Sequence, residues 1–125
     1  MSTTQPLVSV VDDDESVRES LPDLLRVLGF AAEAFSSAEE FLGSNALGRT
    51  QCLILDVNMP EMSGPELQRE LLRRGVVIPV IFITAHADDS VPPELIAQGA
   101  VECLFKPFSE AGLLDALRKA LRAPP

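Results

Sequence analysis

The chain has 125 residues, of which 46% are hydrophobic, and this predicts one globular domain with a sizeable core. Its net charge of −9, from 10 basic and 19 acidic residues, argues against direct nucleic-acid binding and suits a protein that collects cations or docks on basic partners. No apolar stretch approaches the roughly 20 residues of a membrane span, and the N-terminus lacks a secretory signal. We therefore expect a soluble, cytoplasmic protein with no membrane partner.

Five apolar segments have the length and composition of β-strands. In chain order they are LVSVV (7–11), AAEAF (31–35), CLILD (52–56), PVIFI (79–83) and AVECLF (100–105). The third and fourth are apolar without alternation, as strands buried on both faces of a parallel sheet should be.

Segments with a helical spacing of apolar residues separate the strands. We expect helices over about 17–28 closed by Gly29, over 38–42, from Gly64 and Pro65 to about 71, from no earlier than about Pro93, and over 113–121. The alternation of strands and helices predicts a three-layer α/β sandwich around a parallel sheet. In such a fold the ligand site lies at the carboxyl ends of the strands.

Four of the five strands deliver a polar or charged group to that edge of the sheet. Asp12 and Asp13 follow the first strand, Asp56 ends the third, Thr84 follows the fourth and Lys106 follows the fifth. One such residue could be accidental, but four strands that all end this way indicate a site.

Three clustered carboxylates repel one another unless a cation lies between them. Oxygen ligands with room for water suit Mg²⁺, with Mn²⁺ as an alternative, whereas an EF-hand loop is excluded because Val17 stands where its sixth position needs Gly. With the hydroxyl of Thr84 and the ammonium of Lys106, these groups would neutralise a transferred phosphoryl whose acceptor is a carboxylate. The neighbouring Asp14 and Glu15 are explained more simply as the start of the first helix.

Other metal and nucleophile chemistry is disfavoured by the few cysteines and histidines. Cys52 and Cys103 lie in apolar runs and form no CxxC pair, so we expect buried free thiols rather than a disulfide or zinc ligands. His86 is the only histidine, so the chain cannot assemble a zinc site or a nucleophile system based on histidine.

The motifs VVDDDE, LILDVNMPEMSG, FITAH and LFKPF follow the strands in an order that resembles the receiver domain of two-component response regulators, most closely the FixJ-type branch. The resemblance covers about residues 7–122, which implies that residues 1–125 are a single receiver domain and that the output domain lies outside this chain. It also implies a flavodoxin-like (βα)5 fold with strand order 2-1-3-4-5. This sheet order is a well-known example of the rule that ligands bind at the carboxyl ends of parallel strands.

The resemblance assigns a role to each residue at the site. Asp56 matches the phosphoacceptor. Asp13 matches a direct Mg²⁺ ligand, Asp12 a ligand through water, and Asn58 the position whose backbone carbonyl completes the metal site. Asp56 would also ligate the metal. These four positions make up the metal site that the family implies.

Three further positions, together with Asn58, match residues that sense or tune the phosphoryl group. Thr84 matches the hydroxyl that moves to the phosphoryl on activation, and Lys106 matches the lysine that pairs with its oxygens, with a Lys106–Pro107 bond that is cis in many members. Asn58 and His86 match the variable positions that tune dephosphorylation.

One position departs from the family pattern. Three residues before the lysine the family usually has Tyr or Phe, which swings inward on activation, whereas this chain has Cys103 and no tyrosine at all. Phe105 shares the strand face of Cys103 but is not at the motif position. Either a smaller side chain fills the slot, or the response of the surface formed by the fourth helix, fifth strand and fifth helix is damped.

Three functions remain open at this point. In the first, a sensor histidine kinase phosphorylates Asp56, and the switched surface, through a homodimer or another partner, controls an attached or partner output such as transcription by a LuxR-type helix-turn-helix domain. The second is a phosphatase of the haloacid-dehalogenase type, which needs a second acid where Asn58 stands. The third is a pseudo-receiver that only binds partners. In the first reading the only chemistry is phosphorylation and dephosphorylation of Asp56 itself, so the chain is not an enzyme.

Overall fold

A computed structural model describes residues 5–85, 96–97 and 99–122 of the chain. Its strands are β1 (Leu7–Val11), β2 (Ala31–Phe35), β3 (Cys52–Asp56), β4 (Val80–Thr84) and β5 (Ala100–Phe105). The helices in this part of the chain are α1 (Glu15–Val27), α2 (Ala38–Leu42), α3 (Gly64–Arg73) and the C-terminal helix (Glu110–Arg122), with a short 3₁₀ helix at Asn45–Gly48.

Four predicted strands are confirmed with the same bounds, but β4 begins and ends one residue later than predicted. Pro79 has no N–H to give to the ladder, although its carbonyl accepts a hydrogen bond from the Leu53 amide at 2.9 Å. At the other end the Thr84 carbonyl accepts a hydrogen bond from the Lys106 amide at 2.7 Å. Thr84 is therefore the last residue of the strand and not the first residue of the loop.

Helix α1 starts two residues before the first apolar position of its pattern because Asp14 caps it. The Asp14 carboxylate accepts hydrogen bonds from the amide and the hydroxyl of Ser16, at 2.9 and 2.7 Å, and these bonds lower the pKa of Asp14. Gly29 follows the helix with φ of 102°, a left-handed conformation that favours glycine, as the sequence predicted.

The fourth predicted helix lies mostly outside the described residues. Pro93, where it was expected to start, and His86 are both outside them. Ile96 and Ala97, which are described, have helical backbone conformation.

The sheet is parallel throughout, with the order β2-β1-β3-β4-β5, as the resemblance predicted. Two apolar clusters lie against it: Phe41, Leu67 and Leu71 from α2 and α3 belong to one. Residues such as Leu25 and Leu117, from α1 and the C-terminal helix, belong to the other. The three-layer α/β sandwich is thus confirmed.

Neither cysteine forms a disulfide, as predicted, but the two differ in burial. Cys52 lies on the central strand β3 and is fully buried, and this burial raises the pKa of its thiol to about 12. Cys103 is only partly buried, because β5 is an edge strand. None of the helices in the described part of the chain is long and apolar enough to cross a bilayer.

Candidate functional site

The parallel sheet brings the predicted site residues to one edge. Asp12 directly follows β1, Asp56 is the last residue of β3, and Thr84 is the last residue of β4. Lys106 directly follows β5. Because all the strands run in the same direction, their carboxyl ends, and the groups attached to them, meet at this edge.

Asp12 is fully buried, and each of its carboxylate oxygens has a donor. One oxygen, Oδ1, accepts a hydrogen bond from the Asp14 amide at 2.9 Å. The other, Oδ2, lies 2.8 Å from the ammonium of Lys106. A buried carboxylate needs this pairing, so Asp12 holds the Lys106 ammonium in place at the site.

Asp56 is 5% exposed and is less well compensated than Asp12. Its Oδ1 is 4.0 Å from the Lys106 ammonium and accepts a long hydrogen bond, 3.4 Å, from the Asn58 amide. Burial, followed by the negative charge of Asp12, raises the pKa of Asp56 to about 7, although the charge of Lys106 acts in the opposite direction. The positive charge near the carboxyl that ends β3 is therefore too small to offset its burial and the charge of Asp12.

Lys106 is held between the two buried carboxyls by the segment after β5. Partial burial alone would lower the pKa of its ammonium. The hydrogen bond to Asp12 and the charges of Asp12 and Asp56 together have a larger, opposite effect, so the pKa of Lys106 is raised above its usual value. The Lys106–Pro107 peptide bond is cis, as the resemblance implied. Lys106 is therefore a protonated, well-oriented cation at the site.

Three carboxylates are arranged so that they could share a cation. One oxygen of each of Asp12, Asp13 and Asp56 lies within 4.8 Å of the others. Asp13 is exposed while the other two are buried, which leaves an open side for water ligands. The all-oxygen donor set, the open side and the raised pKa of Asp56 fit a divalent cation of the Mg²⁺ type.

Thr84 is fully buried at the end of β4, on the face of the sheet that also carries Phe82 and, across the β4–β5 pairing, Phe105. Its carbonyl accepts the Lys106 amide at 2.7 Å, so the main chain ties the threonine and the lysine together. The main chain thus brings Thr84 next to Lys106 at the ends of β4 and β5.

The loop after β3 folds back on the site through a close backbone approach. The Gly64 amide donates to the Val57 carbonyl at 3.0 Å. A Cβ atom added at Gly64 would overlap the carbonyl oxygen of Asp56 and come within 3.1 Å of the Phe82 ring. Only glycine lets α3 begin this close to the end of β3. The loop itself exposes Asn58, whose amide points to Asp56.

Cys103 lies beside a small cavity on the side of the sheet that packs against α3. It pairs with Phe82 in the β4–β5 register, and Phe105 pairs with Thr84, so both β5 residues lie on the same face. The cavity has a volume of about 80 Å³, and its described lining includes Phe82, Ile96 and Cys103. Phe105, which is 49% exposed, lies outside that lining.

One contact at the site had no signal in the sequence. Arg18, on α1, donates a hydrogen bond from its guanidinium to the main-chain carbonyl of Asp12 at 2.9 Å. In the sequence it is one polar residue among several on the helix, because a bond to a main-chain carbonyl leaves no mark on the residue that accepts it.

The amino-acid sequence matches the family model of the response regulator receiver domain over residues 8–118. This chain belongs to the response regulator receiver domain family. Receiver domains generally bind Mg²⁺ in an acidic pocket, and the pocket of this one comprises Asp12, Asp13 and Asp56. They are generally signalling modules that are not enzymes and are phosphorylated by sensor histidine kinases.

The relatives of this receiver domain agree with the FixJ-type resemblance. It is 45% identical to response regulator protein TodT of Pseudomonas putida over 125 residues, which cover 100% of this chain and 55% of TodT. It is 40% identical to transcriptional regulatory protein FixJ of Rhizobium meliloti over 117 residues, or 94% of this chain and 57% of FixJ. The receiver domain thus spans little more than half the length of these relatives.

Among solved structures, the receiver domain is similar to response regulator StyR. The two share 47% identity and superpose with a TM-score of 0.88, over 95% of this chain and 60% of the StyR chain. This similarity in sequence and in structure confirms the flavodoxin-like receiver fold.

Proposed function

We propose that this receiver domain accepts a phosphoryl group on Asp56 from a sensor histidine kinase and passes the signal to an output through a change in its surface. The observation that carries the proposal is the environment of Asp56. It is a buried carboxyl at a strand end, 4.0 Å from an ammonium and within 4.8 Å of two further carboxylate oxygens. A buried carboxyl with only a long hydrogen bond and a distant ammonium to compensate it is typical of a group that takes part in chemistry.

In the proposed transfer an oxygen of Asp56 attacks the phosphorus of a phosphohistidine. The P–O bond forms as the P–N bond breaks, and the electron pair of that bond returns to the imidazole nitrogen. Lys106, already fixed by Asp12, donates to the phosphoryl oxygens, and Thr84 supplies its hydroxyl. Asn58 and His86 tune the lifetime of the acyl phosphate. Asp56 is regenerated by water, so the domain turns over only its own phosphoryl group.

The residues that would hold Mg²⁺ are Asp12, Asp13, Asp56 and the backbone carbonyl of Asn58, and Mn²⁺ could replace it. When bound, the ion neutralises the charge that builds up on the transferred phosphoryl. The protein supplies the rest: a buried nucleophile, a preset lysine and an open side through Asp13 for water.

Replacing Asp56 with asparagine is expected to abolish phosphate incorporation from acetyl phosphate and Mg²⁺, because the amide has no nucleophilic carboxylate oxygen. Intact-protein mass spectrometry measures the incorporation. Asp14→Asn is the matched control: Asp14 is exposed, caps α1, and can be replaced by another good cap, so this variant should be labelled like the wild type. Equal labelling of Asp56→Asn and wild type would refute the assignment.

The two other functions are less well supported. A haloacid-dehalogenase phosphatase needs an acid two residues after its nucleophile, and this chain has Asn58 there. Turnover of a generic phosphate ester would nevertheless favour it. A pseudo-receiver would not retain Asp12, Thr84 and Lys106 around Asp56, and complete failure of acetyl phosphate and Mg²⁺ to modify the wild type would favour that reading.

The output is proposed from the relatives. Residues 1–125 act as the receiver, and the switched surface is formed by the fourth helix, β5 and the C-terminal helix. This surface controls an attached or partner output, by homodimerisation or by direct contact. Since FixJ is named a transcriptional regulatory protein, we propose transcription regulation as that output.

The partly buried Cys103 is expected to make the β5 surface respond less on activation than a receiver with an aromatic residue there. Because residue 103 has no aromatic ring, there is no ring here that could move into the neighbouring cavity of about 80 Å³. Beryllofluoride, a mimic of the phosphoryl group, should therefore cause smaller amide NMR shift changes along β5 in the wild type than in Cys103→Phe.

Cys52→Ala serves as the control for loss of a cysteine, since Cys52 is buried among the residues that pack against α1 and the C-terminal helix. It should respond as the wild type does. Shift changes along β5 in the wild type as large as those in Cys103→Phe would contradict the damped response.

A further inference from the structure

Arg18 reaches from α1 back to the end of β1. Its guanidinium donates to the main-chain carbonyl of Asp12 at 2.9 Å, and its side chain is partly buried. That carbonyl belongs to the peptide bond that joins Asp12 to Asp13. The arginine therefore contacts the link between two of the three carboxylates of the acidic pocket.

The other polar groups of Asp12 are already held. Its amide donates to the Phe35 carbonyl at 3.1 Å, and its two carboxylate oxygens accept from the Asp14 amide and from Lys106. The bond from Arg18 completes this set on the side of the chain that leads to Asp13. Since Asp13 is exposed, packing does little to fix its position, and the orientation of the Asp12–Asp13 peptide has a correspondingly large influence.

We propose that Arg18 is a positioning residue for the metal site. By fixing the plane of the Asp12–Asp13 peptide it sets where the Asp13 carboxylate lies relative to Asp12 and Asp56. This inference rests on the proposed function, because it concerns the Mg²⁺ that phosphorylation requires. Hydrogen-bond partners behind metal ligands commonly change metal affinity by about 10- to 100-fold.

The charge of Arg18 predicts an effect of the opposite sign. Removing a cation near three carboxylates would, by electrostatics alone, strengthen the binding of a divalent cation. A loss of Mg²⁺ affinity on removing Arg18 therefore reports on geometry and not on charge.

Helix α1 contains a matched control in Arg26. Its guanidinium donates to the main-chain carbonyl of Ala32 at 3.0 Å and pairs with Asp23 at 3.1 Å. Arg26→Met thus removes the same kind of arginine–carbonyl bond and the same charge from the same helix. Ala32 lies near the start of β2, at the opposite end of the sheet from the acidic pocket.

The test is the Mg²⁺ affinity of the whole 125-residue chain by isothermal titration calorimetry, without a phosphoryl donor. We expect Arg18→Met to weaken Mg²⁺ binding about tenfold, Arg26→Met to bind as the wild type does, and Arg18→Lys, which keeps a donor, to recover part of the affinity. Thermal unfolding in EDTA checks that each variant folds. If Arg18→Met does not fold, the Mg²⁺ affinity of Arg18→Lys is compared with that of the wild type instead.

Each other outcome counts against the proposal. Wild-type affinity in Arg18→Met, tighter binding in it, or an equal loss in Arg26→Met would overturn the positioning role and leave the proposed function intact. A wild-type protein that binds no Mg²⁺ would overturn both. Phosphate incorporation by Asp56→Asn would overturn the proposed function alone, because metal affinity does not depend on which residue is phosphorylated.

Discussion

Alanine at position 64 is expected to lower the free energy of unfolding by about 3 kcal/mol, the upper end of the usual cost of overpacking. The added Cβ would overlap the carbonyl oxygen of Asp56 and meet Phe82 at 3.1 Å. Both neighbours belong to buried strands, and a main-chain oxygen cannot rotate away as the end of a flexible side chain can. Either α3 or the end of β3 must shift, and a shift of β3 would also move the Asp56 carboxylate.

Urea denaturation monitored by circular dichroism measures this loss, since the chain has neither tryptophan nor tyrosine for fluorescence. Gly48→Ala is the matched control, because a Cβ there meets nothing within 4 Å and the residue does not have a positive φ. It should change stability little. If Gly64→Ala cost no more than Gly48→Ala, the close approach of α3 to Asp56 would be wrong.

Asparagine at position 56 is expected to raise the free energy of unfolding of the metal-free protein by about 2 kcal/mol at slightly alkaline pH. The pKa of Asp56 is raised from 3.8 to about 7, chiefly by burial and then by the charge of Asp12. A shift of this size corresponds to roughly 4 kcal/mol if it is fully expressed, and water at the open side of the pocket should reduce it. Asparagine keeps the shape and removes the charge.

The sign of the pH dependence follows from the raised pKa. The folded protein binds the Asp56 proton more tightly than the unfolded chain does, so this contribution to stability is fully present below about pH 4 and is lost as the pH rises through about 7. Metal-free wild type should therefore lose stability between about pH 5 and pH 8 relative to Asp56→Asn. If wild type gained stability relative to the variant over that range, or was the more stable of the two at pH 8, the raised pKa would be refuted.

Mg²⁺ should make wild type the more stable protein and Asp56→Asn the less stable one, the reverse of their order without metal. A ligand that binds only the folded state stabilises by about 2.7 kcal/mol at 100 times its dissociation constant. Wild type should gain this stabilisation, whereas Asp56→Asn, which lacks one carboxylate of the pocket, should gain less. Chemical denaturation with EDTA and with saturating Mg²⁺ at one pH measures the difference, and an equal gain in the two proteins would exclude Asp56 as a ligand.

Much of the fold followed from local patterns. The bounds of β1, β2, β3 and β5 were predictable because mainly apolar runs of five or six residues bounded by polar or helical segments leave few alternatives. The one-residue shift of β4 was not predictable, because it depends on whether Thr84 continues the ladder to β5. Capping by Asp14 was predictable, since a helix start favours a short polar side chain.

The sequence by itself determined which chemical groups reach the functional edge of this protein. In a parallel sheet every strand ends at the same edge, so the residue after each strand is placed there whatever the details of packing. The acidic pocket of Asp12, Asp13 and Asp56, with Lys106 beside it, follows from that rule.

Only the tertiary structure decided how those groups are paired. Lys106 lies 94 residues from Asp12, yet contacts it at 2.8 Å and lies 4.0 Å from Asp56. Its charge therefore only partly offsets the burial and the Asp12 charge that raise the pKa of Asp56. The hydrogen bond from Arg18 and the close approach of Gly64 to Asp56 likewise could not be predicted from the amino-acid sequence. Such distances depend on how helices pack on the sheet, and a difference of about an ångström in the distance to Lys106 separates the well-compensated Asp12 from the less well compensated Asp56.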